Sequence, residues 1–173
     1  LFIVKTIVTA HGGSVAVVGP GPLGLMSARI AKLQGAGYVV ITGLPADNAR
    51  ERARLELAAK FGCDDFIEVG KQDLEAEVKR KFPKGIDRVI VSSPPESLQD
   101  ALRIVKFGGI ITFYGLHFGG RSKIEVDINE LIFRKISLIP TFAEPAINFP
   151  ISNRLLREGL VDADRLVTHT FGF

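Results

Sequence analysis

The stretch GPGPLG, residues 19–24, directly follows the apolar run VAVV, residues 15–18, and opens a segment with helical periodicity. This G-x-G-x-x-G pattern is typical of the turn between the first strand and the first helix of a dinucleotide-binding sheet. There the first glycine permits a tight turn, the second lets a pyrophosphate approach the main chain, and the third allows helix and strand to pack closely. The stretch therefore predicts a nucleotide-binding turn, with Gly19, Gly21 and Gly24 in these roles.

Outward from this turn, short apolar runs alternate with helix-like patterns. The first helix places Met26, Ile30 and Leu33 on one face. Strands are predicted at residues 15–18, 38–41, 65–69, 86–91, 109–114 and 136–142, and later helices at residues 46–61, 74–82, 97–105 and 147–158. Because crossovers between parallel strands are right-handed, we expect an α/β fold: a doubly wound, six-stranded parallel sheet (Rossmann) of order 3-2-1-4-5-6.

Composition narrows the class of protein. The chain has 173 residues, of which 46% are hydrophobic and 24% charged, so one globular domain is expected. The single cysteine, Cys63, excludes a disulfide framework and a cysteine-rich zinc knot. The 22 basic residues are mixed with 19 acidic ones, and there is no tryptophan, so nucleic acid is not an expected partner.

Membrane insertion and export are also not expected. The longest stretch without charged residues, Thr6–Ala28, is interrupted by glycines and prolines and cannot form one spanning helix. No signal-peptide layout precedes it, and we expect a cytoplasmic location. The chain begins at Leu1 inside an apolar run, which we interpret as a cut from something longer.

The choice of dinucleotide stays open. An acid is expected at the end of the second strand, where it accepts a hydrogen bond from the ribose 2′-hydroxyl, but Gly43 falls at that place. The next acid is Asp47, followed by Arg50, Arg52 and Arg54, any of which could pair with a 2′-phosphate or simply lie on a solvated helix face. The sequence therefore predicts NAD or NADP without preference.

Several segments resemble the cofactor domain of zinc-dependent medium-chain dehydrogenases, a group that includes alcohol, sorbitol and threonine dehydrogenases. They are GSVAVVGPGPLGL at 13–25, RLELAAKFGCD at 54–64, FGGIITFYG at 107–115, GLVD at 159–162 and LVTH at 166–169. The resemblance covers about residues 13–170, and the glycine turn differs from that of quinone-reductase relatives. It implies one NAD(P)-binding domain over residues 1–173, with a core of about 14–143 and a return segment at 144–173.

The resemblance also implies cofactor-binding positions. Those of the glycine turn would face the pyrophosphate, those after the second and fourth strands would lie near the adenosine, and those after the fifth and sixth strands would approach the nicotinamide. In chain order they are Gly19, Gly21, Pro22, Leu23, Gly24, Thr42, Gly43, Ser92, Ser93, Tyr114, Gly115, Leu116 and Thr141. Catalytic residues are not expected in this chain.

Members of this family hold a catalytic zinc in a separate domain, and a catalytic zinc needs three protein ligands. Here His11, His117 and His169 lie far apart, and Cys63 has no nearby ligand partner, so we expect no metal to bind. The resemblance implies the nucleotide-binding domain of a zinc-dependent alcohol or polyol dehydrogenase, which positions NAD(P) for hydride transfer and is inactive alone. It also implies a homodimer through the sixth strand.

Two alternatives stay open. A stand-alone module that senses NAD(H) and regulates a partner would need the same glycine turn without a zinc domain. A methyltransferase sheet would bind S-adenosylmethionine instead and would not respond to NADH.

Overall fold

The computed structural model describes residues 12–120, 122–142 and 145–172, so the predicted features at Leu1 and His11 lie outside the described residues. Its strands are β1 (Ser14–Val18), β2 (Tyr38–Gly43), β3 (Asp65–Glu68), β4 (Ile86–Val91), β5 (Val105–Phe113) and β6 (Ser137–Pro140). They form one sheet in the order β3-β2-β1-β4-β5-β6, and every neighbouring pair is parallel. The fold class and strand order predicted from the sequence are confirmed.

Helices connect successive strands and cover both faces of the sheet. They are α1 (Pro22–Leu33), α2 (Ala49–Lys60), α3 (Leu74–Lys81), α4 (Leu98–Ile104), α5 (Ile128–Arg134) and α6 (Pro145–Arg157). α1 and α2 pack on one face, and α3 and α4 pack on the other. Among the described residues, none of the helices combines the length and the apolar character that a membrane span requires.

The central strand explains why the apolar runs are continuous. All five residues of β1 are buried. Val15 and Val17 belong to the core under α1 and α2, whereas Ala16 and Val18 belong to the core under α3 and α4. A strand covered on both faces has no polar side to alternate with its apolar side.

The buried face of α1 differs from the prediction at its carboxyl end. Of the predicted face, Ile30 is buried and Met26 packs against the same core, whereas Leu33 is 38% exposed. Leu25, Ala28 and Ala31 are buried as well. The core contact of α1 therefore ends near Ala31 and does not extend to Leu33.

The larger differences from the prediction lie at the start of α2, at the start of β5 and in α5. α2 begins at Ala49 rather than residue 46, because the Asn48 side chain accepts a hydrogen bond from the main-chain N–H of Glu51 and ends the preceding loop. β5 begins four residues before the predicted residue 109, across a register shift opposite β4. α5 was not predicted; it has only seven residues, none of them fully buried, and Leu131 alone among them packs against the core, half-buried.

Candidate functional site

Four predicted site positions form a row along the carboxyl edge of the sheet. They are Gly19, Ser92, Tyr114 and Thr141, which follow β1, β4, β5 and β6. Each donates its main-chain N–H to a carbonyl of the neighbouring strand, at N–O distances between 2.9 and 3.2 Å. In open α/β sheets, ligands bind outside this edge.

Two of the three turn glycines are required by the fold itself. Gly19 has a φ of +108°, and a Cβ there would lie 3.0 Å from Ser92 Oγ. A Cβ on Gly24 would lie 2.0 Å from the carbonyl oxygen of Gly19. The roles predicted for these glycines, the tight turn and the close packing of α1, agree with this geometry.

Gly21 is different, because nothing in the described part of the chain requires a glycine there. Its φ is −71°, which any residue adopts, and a Cβ would meet no atom within 4 Å. The missing side chain leaves open space directly at the start of α1. A group approaching from outside could therefore reach the main chain at this point.

The amino terminus of α1 is prepared for an anion. Its N-cap, Gly21, offers no side-chain hydrogen bond, and its first turn contains no acid. The first helical hydrogen bond runs from Leu25 N to Gly21 O, so the N–H groups of Leu23 and Gly24 precede the helical ladder. Such N–H groups, together with the helix dipole, favour a phosphate. Pro22 lacks an N–H and costs little in the first turn.

Side-chain hydroxyls hold the carbonyls of this turn on its inner side. Ser92 Oγ lies 2.9 Å from the carbonyl oxygen of Gly19, and Ser27 Oγ donates to that of Leu23 at 2.8 Å. Ser27 Oγ also lies 2.9 Å from the hydroxyl of Tyr114, whose pKa is raised by burial. These two carbonyls therefore have partners, whereas the N–H groups of Leu23 and Gly24 precede the helical ladder.

Ser27 was not predicted as a site residue, and Tyr114 was predicted near the nicotinamide. The structure places the Tyr114 hydroxyl against α1, where it tethers the helix to the end of β5. The signal for Ser27 was a polar residue within the buried face of α1, three positions after the last turn glycine. Its partner lies 87 residues away, so the sequence pattern alone did not connect them.

Ser93 carries a buried hydroxyl that no neighbour satisfies. Its Oγ has no hydrogen-bond partner in the described part of the chain. The residue lies between the two strand ends: a Cβ on Gly19 would be 3.0 Å from Ser93 Cβ, and a Cβ on Gly115 would be 2.0 Å from Ser93 O. A buried polar atom without a partner is uncommon in folded proteins, and a ligand that supplies the partner would account for it.

An Asp or Glu at the end of β2 usually accompanies a glycine turn of this kind, but here that position has no room for a side chain. A Cβ on Gly43 would lie 2.7 Å from Pro20 Cγ and 2.9 Å from Phe66 Cζ. The side chain of Thr42 is buried, at 2% exposure. Pro20 and Phe66 therefore fix a glycine at this position, which the sequence alone did not reveal.

The three arginines after β2 differ in their partners. Arg54 donates to both carboxylate oxygens of Glu51, at 3.0 and 3.2 Å, and Glu51 is only 5% exposed. Arg52 donates to the carbonyl of Ala46 at 3.4 Å. The side chain of Arg50 is 75% exposed. Arg54 therefore belongs to the framework of α2, whereas Arg52 lies toward the loop after β2.

The remaining predicted positions lie on the same edge of the sheet. The side chains of Leu23 and Leu116 are 57% and 61% exposed, although both are large and apolar. Thr141 is half-buried. Exposed apolar groups beside a row of polar strand ends are typical of a binding surface that a partly apolar ligand covers.

Within the described residues, no group of three or more His, Cys, Asp or Glu side chains could hold a metal ion. Burial, followed by the charge of Asp64, raises the pKa of the Cys63 thiol to about 12, so it is neutral at physiological pH. His169 contacts its neighbour Thr168 and the ring of Phe171.

The sequence is similar to those of known dehydrogenases. Residues 22–152 match a protein family described as zinc-binding dehydrogenase. The chain is 32% identical over 162 residues to sorbitol dehydrogenase of Bacillus subtilis, an alignment that covers 92% of this chain and 43% of that enzyme. It is 33% identical over 164 residues to L-threonine 3-dehydrogenase of Pyrococcus horikoshii, covering 92% and 44%.

Solved structures show the same fold. Alcohol dehydrogenase TADH from Thermus sp. ATN1 superposes with a TM-score of 0.84 and 23% identity, over 96% of this chain and 47% of that one. A zinc-binding dehydrogenase from Sinorhizobium meliloti, solved with NADP bound, gives a TM-score of 0.80 and 24% identity, over 94% and 46%. The chain thus spans less than half the length of these relatives.

Proposed function

This chain belongs to the zinc-binding dehydrogenase family, and we propose that it is the domain that binds NAD(P) in an alcohol or polyol dehydrogenase. In this proposal it positions the dinucleotide for hydride transfer to or from the nicotinamide. The relatives named above are dehydrogenases, which supports an oxidoreductase. The NADP bound to the Sinorhizobium meliloti protein supports a dinucleotide as the ligand class.

One observation carries the proposal: Gly21 lacks a side chain where neither the backbone nor the packing requires a glycine. It lies at the start of a helix without a cap and faces open space. A need for glycine here would then come from a group outside the described residues. A pyrophosphate that approaches the main chain at this point has that requirement.

The residues of this chain would act by binding and orientation. The N–H groups at the start of α1 would hold the pyrophosphate, while Ser92 and Ser27 keep the turn in its shape. Ser93 would donate its free hydroxyl on the adenosine side. Gly115, Leu116 and Thr141 would support the nicotinamide. Zinc bound elsewhere in the enzyme would polarise the oxygen of the alcohol.

We place the zinc site outside this chain and expect the chain alone to be inactive, because hydride transfer needs a bound alcohol. A stand-alone module that senses NAD(H) is the less favoured function, since the family match is to dehydrogenases. A methyltransferase sheet is likewise not favoured. A cytoplasmic location stays a prediction from the sequence.

We further propose that the protein forms a homodimer through β6. This strand lies at one edge of the sheet, and Ile132 and Phe133 on the neighbouring α5 are 63% and 76% exposed. An unpaired apolar edge is prone to pair with a second strand. Sedimentation is expected to give a dimer, and Ile139→Lys in β6 is expected to give a monomer. A monomeric unmodified protein would refute this assembly.

The test of dinucleotide binding is calorimetric titration with NADH and NADPH. At least one should bind, and Gly21→Val should weaken that binding by about 100-fold or more, because its side chain occupies the space of the pyrophosphate. Gly172→Val is the matched control: a Cβ there also meets no atom within 4 Å, but the residue lies outside the turn. Equal affinity in both variants would refute the proposed site.

A further inference from the structure

A carboxylate lies beside the place where the β2 acid is missing. Gly43, the last residue of β2, pairs in register with Glu68, the last residue of β3. Neighbouring residues in register on parallel strands project to the same face of the sheet. Glu68 therefore lies at the carboxyl edge, one strand further from β1 than the usual acid.

The carboxylate of Glu68 is oriented by its neighbours. Its Oε2 accepts a hydrogen bond from Ala46 N at 2.9 Å and lies 3.1 Å from Lys71 Nζ. Both contacts use Oε2, so Oε1 remains able to accept a further hydrogen bond. The bond from Ala46, followed by that from Lys71, lowers the pKa of Glu68, which is therefore ionised at neutral pH.

The nearby cations are largely engaged. Lys71 Nζ lies 2.6 Å from Asp47 Oδ1 as well as close to Glu68, so one ammonium faces two carboxylates. Arg54 pairs with buried Glu51. Arg52 donates to the carbonyl of Ala46 in the loop after β2. It is therefore the nearby cation best placed to attract a 2′-phosphate and so to favour NADP(H).

We propose that Glu68, from β3, takes the place of the missing β2 acid and selects a dinucleotide with a free ribose 2′-hydroxyl. This deepens the proposed function and rests on it. Oε1 would accept a hydrogen bond from the 2′-hydroxyl, whereas a 2′-phosphate would meet the negative charges of Glu68 and Asp47. The protein therefore prefers NAD(H) to NADP(H).

The experiment compares NADH with NADPH, and 5′-AMP with 2′,5′-ADP, by calorimetric titration. The second pair isolates the adenosine end, so the result does not depend on the nicotinamide. The unmodified protein should bind the member without the 2′-phosphate at least about tenfold more tightly, a modest effect for like charges at one site. Glu68→Gln keeps an acceptor for Ala46 N and should remove most of that preference.

Glu75→Gln is the control, since Glu75 also pairs with a lysine but lies on α3. It should leave both ratios unchanged, and thermal melts should show that each variant is folded. Unchanged ratios in Glu68→Gln would overturn the proposal. A preference for the 2′-phosphate that Arg52→Gln abolishes would also overturn the proposal. In that case Arg52, and not Glu68, would discriminate between the two cofactors. Binding of neither NADH nor NADPH would instead refute the dinucleotide function itself.

Discussion

The two ends of β1 are finished in opposite ways. At the amino end, Asp87 Oδ2 accepts hydrogen bonds from the N–H and hydroxyl of Ser14, at 2.8 and 2.7 Å, and Lys106 pairs with the other carboxylate oxygen. At the carboxyl end, the helix that follows has no cap, and Gly21 faces open space. The polar groups at the amino end are paired with one another and stabilise the fold. The N–H groups at the carboxyl end lack a side-chain cap and are available to a ligand.

The amino terminus of α2 sharpens this contrast, because it follows the neighbouring strand β2 at the same edge of the sheet. There the side chain of Asn48 caps the helix, and Glu51 lies in its first turn. Asp73 and Asp127 cap α3 and α5 in the same way. α4 also lacks a side-chain cap, but it continues directly from a helical turn at Pro95–Ser97. An uncapped start next to open space is therefore a feature of the glycine turn and not of the helix starts in general.

The largest expected effect on stability is that of Gly24→Ala. Its Cβ would lie 2.0 Å from the carbonyl oxygen of Gly19, so α1 must move away from β1. We expect a loss of about 3 kcal/mol in the free energy of unfolding, measured in urea, together with weaker dinucleotide binding. Gly21→Ala, the same change three residues earlier, should leave stability nearly unchanged. Equal losses in both would contradict the comparison.

Asp87→Ala tests the paired polar groups at the amino end of β1. It leaves Ser14 N and Lys106 without their acceptor, which should cost about 2 kcal/mol in the free energy of unfolding. The affinity for the dinucleotide should not change, because Asp87 lies at the opposite edge of the sheet. A change in affinity comparable to the change in stability would show that the two ends are coupled.

Asn48→Ala removes the cap of α2 and should lower the free energy of unfolding by about 1 kcal/mol. We expect no loss of NADH affinity, since the Asn48 side chain accepts a hydrogen bond from a main-chain N–H of α2 and has no role toward the ligand. Thermal melts and titrations on one preparation check both. If the variant instead bound NADH much more weakly, the start of α2 would belong to the site.

The smallest expected effect is the pH dependence of the stability that Asp87 contributes at the amino end of β1, because that contribution changes only in acid. Burial raises the pKa of Asp87, but the hydrogen bonds from Lys106 and Ser14 outweigh it and leave the pKa at about 2, below the ordinary 3.8. A lowered pKa stabilises the fold above the ordinary value, and this contribution is lost as pH falls from about 4 toward 2. The stability difference between the unmodified protein and Asp87→Ala should shrink over that range, and a constant difference would contradict it.

The features that could be predicted from the sequence depend on residues that are close together in the chain. The order of strands and helices followed from apolar runs and helical spacing, and the glycine turn followed from one hexapeptide after a strand. The turn also predicted separate roles for its glycines, because its geometry is set by backbone sterics within six residues. β4 was predicted at residues 86–91, the bounds that the structure gives.

The rest required contacts between distant segments. Tyr114 meets Ser27 across 87 residues, and Pro20 and Phe66 together exclude a side chain at Gly43. Glu68 lies beside the missing acid only because β3 pairs with β2 in one register. The sequence by itself determined the sheet and where on it a nucleotide could lie, since those depend on local periodicity and turn geometry. Which side chains surround that place was decided by tertiary packing, because only the assembled sheet brings separate strand ends within hydrogen-bonding distance.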